Sequence, residues 1–456
     1  MRPRRRTNIA LTFAVLGLML MGFNRTRIAD WPLSDLAFLV AFAFMLADVL
    51  GGREAQLAPK RARRTSPGVL VGILLLLTAG TLSALQSWDP GRSLAVTLRF
   101  AWIFLGMFWV IRALARDRDS LARLLTGWRI CIVFNALVAI SGQLGLTSFS
   151  VENSENRQTA FFEQPNELAG LLVIGLPLFL LGVPRRREYR TDGRELLSRA
   201  VPIGLVFYAI ATTGSMSGLL GGLAGVVAML VAGGWRHVRR PGRAWTSPLL
   251  PMLVAFGVVA GLFALFTSDL PVVERFDRFT SGDQYVQGSV DSRETRNEEV
   301  IQRFDESLVV GQGFGSYDLN DPGAADAAGV HNMFFRFIFQ AGLPGLVGVL
   351  MIIGFALQQC IRLLRNTRHS SLHATAVALT AALVSANTFA MFQPTEYQRY
   401  YWMSVAMIGA LWSLRREEMR VVWEQRQAEV AEIARLPARG EPGRNGSTGP
   451  PAVETR

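Results

Sequence analysis

The sequence predicts an all-α polytopic membrane protein with about twelve transmembrane helices. Half of its 456 residues are hydrophobic and only 18% are charged, whereas soluble proteins carry about 25% charged residues. The apolar residues also come in blocks of about 20, the length that crosses a bilayer as a helix. The two cysteines, Cys131 and Cys360, lie inside such blocks. This excludes a disulfide framework and a Cys/His zinc site.

The predicted spans follow one another along nearly the whole chain. They are residues 8–23, 31–50, 67–86, 92–113, 121–146, 165–183, 200–213, 215–234, 248–267, 331–361, 372–391 and 398–414. The first follows the basic run Arg4–Arg6, and no small-residue cleavage site precedes the second, so it is expected to stay as an anchor. Residues 341–345, Ala-Gly-Leu-Pro-Gly, interrupt the tenth. That segment is therefore expected to begin as a surface helix and to span only after the break.

The positions of basic residues predict the orientation. With the N-terminus in the cytoplasm, the cytoplasmic N-terminus and loops together hold far more basic residues than the short loops on the other side, as in residues 60–64 and 185–187. This is the positive-inside distribution of membrane proteins, and it places both termini in the cytoplasm. It also accounts for the formal net charge of +12, so nucleic acid is not an expected partner.

The predicted organisation is nine transmembrane helices in residues 1–267, a large external loop at 268–330, three helices in 331–414 and a cytoplasmic tail at 415–456. The tail begins as a charged helix, and its last 20 residues have a disordered composition. The loop holds 13 acidic and 5 basic residues. Its segment 294–310 places Val300, Ile301, Phe304 and Leu308 at helical spacing. A glycine-rich turn, residues 311–315, follows; it lacks the flanking strand and helix that a nucleotide-binding fingerprint requires.

Candidate functional side chains are scarce on the external side. His331 is the only histidine that the topology places there, and histidine is the side chain whose ordinary pKa lies near neutrality. External arginines suited to phosphate are Arg157, Arg293, Arg296 and Arg399. The other loop arginines, Arg275, Arg278 and Arg303, are expected to pair with loop carboxylates. Arg99 and Arg336 lie within spans, where charged residues either line a cavity or extend to the interface.

Three stretches resemble the O-antigen ligase/polymerase superfamily of bacterial inner-membrane proteins. Residues 157–169 place Arg157 before a Pro-Asn pair that opens a span. Residues 292–317 place Ser292-Arg293 before a helix and, 18 residues after Arg293, a Gly-x-Gly turn. Residues 331–346 contain His331-Asn332 and a downstream Gly-Leu-Pro-Gly. The resemblance covers about 150–410 and implies a GT-C-like arrangement with a structured periplasmic loop.

The resemblance implies transfer of a glycan from an undecaprenyl-diphosphate-linked donor to an acceptor hydroxyl at the periplasmic face, with inversion and without a cofactor or metal. The favoured prediction is an O-antigen ligase whose acceptor is lipid A-core or a similar glycan. The alternatives are an O-antigen or exopolysaccharide polymerase and a protein O-oligosaccharyltransferase. A transporter or flippase of lipid-linked sugars is the alternative from another class.

The mechanism expected from this resemblance assigns three catalytic residues. Arg293 and Arg157 hold the diphosphate and stabilise its charge as it leaves. His331 takes the proton from the acceptor, and Glu163 is the next candidate for that role. Weaker substrate-binding candidates are Asn332, Arg296, Tyr397, Arg399 and Arg99.

Overall fold

The structure, a computed structural model, is a bundle of α-helices. It describes residues 4–23, 27–28, 31–52, 57, 65–147, 157–181, 193–234, 271–281, 291, 295, 298, 301–302, 308–315, 330–367 and 372–435. In these ranges the helices are α1 Arg4–Leu20, α2 Leu33–Leu50, α3 Pro67–Ala84, α4 Pro90–Ala101, α5 Phe108–Leu114, α6 Arg118–Gln143, α7 Pro165–Leu181, α8 Gly193–Thr212, α9 Met216–Gly234, α10 Pro271–Thr280, α11 Met333–Asn366, α12 His373–Ala390 and α13 Arg399–Arg435. A two-residue antiparallel ladder, β1 Arg27–Ile28 with β2 Trp31–Pro32, lies between α1 and α2.

The prediction of a helical, multi-pass membrane protein is confirmed. In the described ranges, six helical stretches are long and apolar enough to cross a membrane: Leu33–Leu50, Pro67–Ala84, Pro90–Leu114, Arg118–Gln143, Met333–Asn366 and His373–Ala390. Shorter apolar helices coincide with four further predicted spans: Thr7–Leu20, Pro165–Phe179, Val201–Thr212 and Met216–Ala232. The predicted span 248–267 lies outside the described residues, so the total of twelve stays a prediction. Helix α13 continues the last predicted span as the charged helix expected of the tail; residues 436–456 also lie outside.

The helices pack as antiparallel neighbours through small residues. Helices α3 and α11 approach so closely that a Cβ on Gly72 would lie 2.7 Å from the carbonyl oxygen of Gly348. Such small-residue contacts let helix backbones meet where lipid offers no hydrophobic driving force. At the far end of the α1–α2 hairpin, the buried Thr7 hydroxyl donates to Asp48 at 3.2 Å.

The contacts sort the helix ends into two groups. One group joins Arg118 to Glu418 at 2.7 Å and Arg415 to the carbonyl of Asn366. The other, which we call the cavity end, brings together the first turns of α2, α4, α7 and α13 and the α8–α9 turn. Helices that a short turn joins therefore run in opposite directions between the two ends.

The interruption predicted in the tenth span is a kink at Gly342, whose φ of 68° and ψ of −177° are non-helical. Residues 333–341 precede the kink as a short, largely buried helical segment. Since a kink leaves backbone groups without helical partners, other segments must satisfy them. The 308–315 segment does so: Leu343 donates to the carbonyl of Leu308 at 2.8 Å, and Gln312 donates to that of Phe339 at 2.8 Å.

The large loop contains more helix than the sequence predicted. Helix α10 was missed, although Val272, Val273 and Phe276 give it one apolar face. In the predicted amphipathic segment, Glu298 and residues 301–302 are helical, but Leu308 lies in a bend beyond the helix. Most of that segment lies outside the described residues.

Candidate active site

The cavity end holds an open polar cavity of about 410 Å³. Five separate segments contribute to its wall, which combines cationic, carboxylate and aromatic side chains. The lining residues are Pro32, Arg92, Ala95, Val96, Arg99, Phe100, Ile103, Glu163, Glu167, Gly315, Tyr397, Gln398 and Arg399. Three of these, Arg99, Tyr397 and Arg399, are among the substrate-binding residues that the sequence predicted.

Arg92 and Arg99 project from one face of α4, because seven residues are close to two helical turns. Both side chains are exposed. Asp89 caps this helix by accepting from the Arg92 backbone N–H at 2.9 Å, and Pro90 occupies the first helical position, where its missing N–H has no cost. The start of α4, and with it the backbone positions of Arg92 and Arg99, is therefore fixed by local sequence.

The helix continues from α4 as a π-helical segment, Trp102–Met107. Such wide turns are rare and often lie at functional sites. A Cβ on Gly106 would lie 2.3 Å from the Trp102 ring, so glycine makes room for the indole inside the widened turn. Ile103 of this segment lines the cavity.

The glycine-rich turn forms the rim next to Arg92. Gly313 and Gly315 have φ of 94° and 80°, values that side chains with a Cβ rarely adopt. The Gly313 N–H donates to the carbonyl of Gln340 at 2.9 Å. Phe314 is buried against Phe100, with ring centroids 4.9 Å apart. The motif that resembles the family therefore ties the kinked helix to the cavity wall.

Arg399 and Tyr397 have partners inside the protein. Arg399 holds Asp35 through both carboxylate oxygens. The Tyr397 hydroxyl donates to Gln340 at 3.0 Å, and the Arg336 guanidinium lies 5.7 Å from the centre of its ring. Arg336 in turn pairs with the fully buried Glu396 at 3.0 Å. These residues form a polar layer behind the cavity.

Two glutamates bring carboxylates to the same cavity. Glu163 is exposed, and Glu167 in the first turn of α7 is half-buried. Glu167 accepts from the side-chain amide of Gln398 at 2.6 Å and from the backbone N–H of Glu163 at 3.2 Å. The cavity thus presents both cationic and carboxylate groups to a ligand.

Arg157 is buried beside the cavity rather than lining it. Its Nε donates to the carbonyl of Thr213 at 2.6 Å, and its Nη2 donates to the Asn166 side chain at 2.9 Å. It therefore joins the Pro-Asn motif to the turn between α8 and α9. Arg275 of α10 reaches the same turn by donating to Gly214 at 3.4 Å.

His331 and Asn332 precede α11. The Asn332 side chain accepts from the backbone N–H groups of Phe334 and Phe335 at 2.9 and 3.3 Å, a capping arrangement. His331 is partly buried and is not among the described cavity-lining residues. Arg293, Arg296 and Arg303 lie outside the described residues. Arg278 pairs with Glu274, as the sequence predicted.

Sequence reasoning missed four polar residues of this region: Asp35, Arg92, Glu167 and Gln398. A carboxylate inside an apolar segment was a signal for Asp35, because such residues usually face a polar interior. The seven-residue spacing of Arg92 and Arg99 was a signal for a shared helix face. No local pattern predicts that Gln398 meets Glu167 across 231 residues.

Comparison with known proteins agrees with the resemblance in the sequence. Residues 201–350 match a family described as O-antigen ligase. No curated protein matches the chain. The match supports ligase-type or polymerase-type glycan transfer in general, with a lipid-linked glycan and a glycan acceptor as the substrate classes. The matched residues make up about a third of the chain, and the match supports an O-antigen ligase-like superfamily.

Proposed function

We propose that this protein transfers a glycan from an undecaprenyl-diphosphate-linked donor to an acceptor hydroxyl at the periplasmic face of the bacterial inner membrane. The proposed acceptor is lipid A-core or a similar glycan, so the proposed activity is that of an O-antigen ligase. The observation that carries the proposal is the polar cavity at one end of the bundle, where Arg92 and Arg99 share a helix face. The family match over 201–350 supports the same reading.

The two arginines suit the leaving group of such a donor. A guanidinium group donates two parallel hydrogen bonds to phosphate and keeps its charge. Preorganised donors that meet charge as it develops stabilise a transition state more than donors that must reorient. A diphosphate linkage is already activated, so the transfer needs no nucleotide cofactor. Arg92 and Arg99 therefore take the role that the sequence gave to Arg157, whose two described bonds hold neighbouring turns together.

Arg293 and His331 keep their roles as predictions from sequence. Arg293 would supply a further cation from the loop, and His331 would accept the acceptor's proton. Asn332, whose described bonds cap α11, would support His331 by fixing the start of the helix that follows. Arg296 remains a substrate-binding candidate of the loop.

The first experiment is deletion of the gene followed by analysis of surface polysaccharide on a gel. Loss of glycan-capped core, with uncapped core remaining, is the result expected of a ligase. Products with a single repeat unit would instead indicate the polymerase. Unchanged polysaccharide would contradict both forms of the proposal.

The second experiment uses purified protein in lipid vesicles with a lipid-linked donor and an acceptor glycan. Transfer of the glycan to the acceptor is expected. Movement of the lipid-linked sugar across the bilayer without a new glycosidic bond would contradict the proposal and favour a flippase. Replacement of Arg293 or His331 by Ala tests the sequence-based roles. Arg278→Ala and His373→Ala are matched controls, since Arg278 pairs with Glu274 and His373 contacts Thr367 at 3.2 Å.

A further inference from the structure

The helical segment 333–341, which begins two residues after His331, is held along one face. Its residues Met333, Arg336 and Gln340 share that face, because they follow the spacing of helical turns. Three consecutive residues before α13 meet them in order. The contacts are Thr395 Oγ1 to Met333 Sδ at 3.4 Å, Glu396 Oε1 to Arg336 Nε at 3.0 Å and Tyr397 Oη to Gln340 Oε1 at 3.0 Å. The two stretches are therefore matched residue by residue.

The central contact of the three is an ion pair between two buried side chains. Arg336 is 8% exposed and Glu396 is 0% exposed. In the sequence, Arg336 is the only charged residue from 332 to 361, and Glu396 is the only one from 374 to 398. Sliding segment 333–341 by one helical turn would separate these two charges inside the protein, which costs more than losing a neutral hydrogen bond. The pair therefore permits one register between the two stretches.

A buried ion pair of this kind is a weak source of stability. Replacing both charges by apolar side chains of similar volume is often neutral or stabilising, and the best-attested use of buried polar groups is to fix a register. The role expected of Arg336 and Glu396 is therefore alignment of segment 333–341.

The register sets where the segment lies on the cavity wall. Phe337 packs against Phe100, with ring centroids 6.1 Å apart, and both Phe100 and Tyr397 line the cavity. The start of the segment moves with it, because the Asn332 side chain accepts from the first backbone N–H groups of the helix. His331 precedes this cap directly, so its position depends on the same register.

We propose that Arg336 and Glu396 are positioning residues, which fix the register of segment 333–341 and thereby hold His331 in place to accept the acceptor's proton. This inference rests on the proposed function and on the role given there to His331. Alignment of this accuracy matters to a rate, since a misplacement of about 1 Å can cost about 10²-fold.

The test compares the full-length wild type with Arg336→Met/Glu396→Leu, which replaces both charges by apolar side chains. The same double replacement is made in the His331→Ala protein, which completes a double-mutant cycle. Arg118→Met/Glu418→Leu is the matched control, since that ion pair joins two helices at the opposite end of the bundle at 2.7 Å. Transfer from a lipid-linked donor to an acceptor glycan in lipid vesicles gives kcat and the donor KM, and unfolding temperatures are measured in detergent.

Replacing the Arg336–Glu396 pair is expected to lower kcat by about 10²-fold, with the donor KM and the unfolding temperature close to those of the wild type. The control should keep the wild-type kcat. In the His331→Ala protein the same replacement should cause little further loss, because the residue that it displaces is already absent. A pair that only supports the fold would lower kcat by the same factor in both backgrounds. That result, or a wild-type kcat without the pair, would overturn the proposal.

Glu396→Asp keeps both charges and serves if the double replacement does not fold. Its carboxylate is withdrawn by one methylene group, so the pair can re-form only if the segment shifts. Its kcat should fall in the wild-type background and change little in the His331→Ala background, and a wild-type kcat would again overturn the proposal.

Failure of the proposed function gives a different pattern. An inactive wild type in the vesicle assay, together with an unchanged polysaccharide gel after deletion, would reject the transfer itself. Wild-type transfer by His331→Ala would reject the role of His331 and this inference with it. A loss with His331→Ala but none without the Arg336–Glu396 pair would reject the positioning role alone.

Discussion

Asp35 and Arg399 join the two ends of the chain at the cavity. The carboxylate in the first turn of α2 accepts two hydrogen bonds from the guanidinium group in the first turn of α13. The side chains are only 4% and 11% exposed. Arg399 lines the cavity, and Asp35 binds its guanidinium group. The pair therefore fixes the cavity wall between α2 and α13.

Asp35→Asn is therefore expected to destabilise the protein. Removing one partner of a buried ion pair leaves the other charge uncompensated, at a cost of about 3–5 kcal/mol. Thermal unfolding of the detergent-solubilised protein measures the change. Glu417→Gln is the control, because Glu417 pairs with Arg420 at an exposed position and exposed pairs contribute little. Equal unfolding temperatures for Asp35→Asn and the wild type would contradict a structural role of the pair.

The cavity arginines are expected to control affinity for the lipid-linked donor. A charge-assisted hydrogen bond contributes about 1.5–3 kcal/mol, so Arg92→Ala or Arg99→Ala should weaken donor binding by about tenfold to a hundredfold. Lysine cannot reproduce the planar fork, so Arg92→Lys and Arg99→Lys should recover little. Titration of the variants with a lipid-linked diphosphate measures the effect.

Arg123→Ala is the matched control for these variants. Arg123 is exposed on α6, close to Arg118 and so near the opposite end of the bundle. Its replacement should leave donor affinity unchanged. If Arg99→Ala bound the donor as tightly as Arg123→Ala, the assignment of the cavity to the diphosphate would be wrong.

The helical architecture could be predicted because apolar length is a local property of the sequence. The break at Gly342 was also predictable, since Gly342, Pro344 and Gly345 interrupt an otherwise apolar run. The contacts that each site residue makes could not be predicted from the sequence. Asp35 and Arg399 are 364 residues apart, and only packing of their helices brings them together. Helix α10 was missed because its ten residues form one short amphipathic stretch within a hydrophilic loop.

Part of the candidate site could also be predicted from local properties of the sequence. Arg99, Tyr397 and Arg399 were weaker substrate-binding candidates from the sequence, and all three line the cavity. The pairing of Arg157 with Thr213 and Asn166 depends on the approach of two turns 56 residues apart. Residue type and the family resemblance made Arg157 a candidate phosphate ligand, and no local pattern predicts that its guanidinium donates to the carbonyl of Thr213.

The turn that resembles the family's Gly-x-Gly motif is expected to tolerate no side chain at Gly311. A Cβ there would lie 2.2 Å from the carbonyl carbon of Gln340, and backbone cannot move aside as a flexible side chain can. Gly311→Ala should therefore lower both the unfolding temperature and the transfer rate. Gly354→Ala is the matched control, because a Cβ at Gly354 meets nothing within 4 Å and alanine favours the helix. A Gly311→Ala protein as stable and active as the wild type would show that the turn does not anchor the kinked helix.

The orientation of the bundle decides whether the cavity can meet a periplasmic donor. The distribution of basic residues predicts that the end carrying Glu418 faces the cytoplasm and that the cavity end faces outward. Cysteines introduced at Ser281 and Gln427, in a protein whose buried Cys131 and Cys360 are replaced by Ala, test this in intact cells. Both introduced positions are exposed. A membrane-impermeant thiol reagent should label Ser281→Cys directly and Gln427→Cys only after permeabilisation. The reverse pattern would place Arg92, Arg99 and Glu163 on the cytoplasmic side, where a periplasmic donor cannot reach them, and the proposed transfer would be excluded.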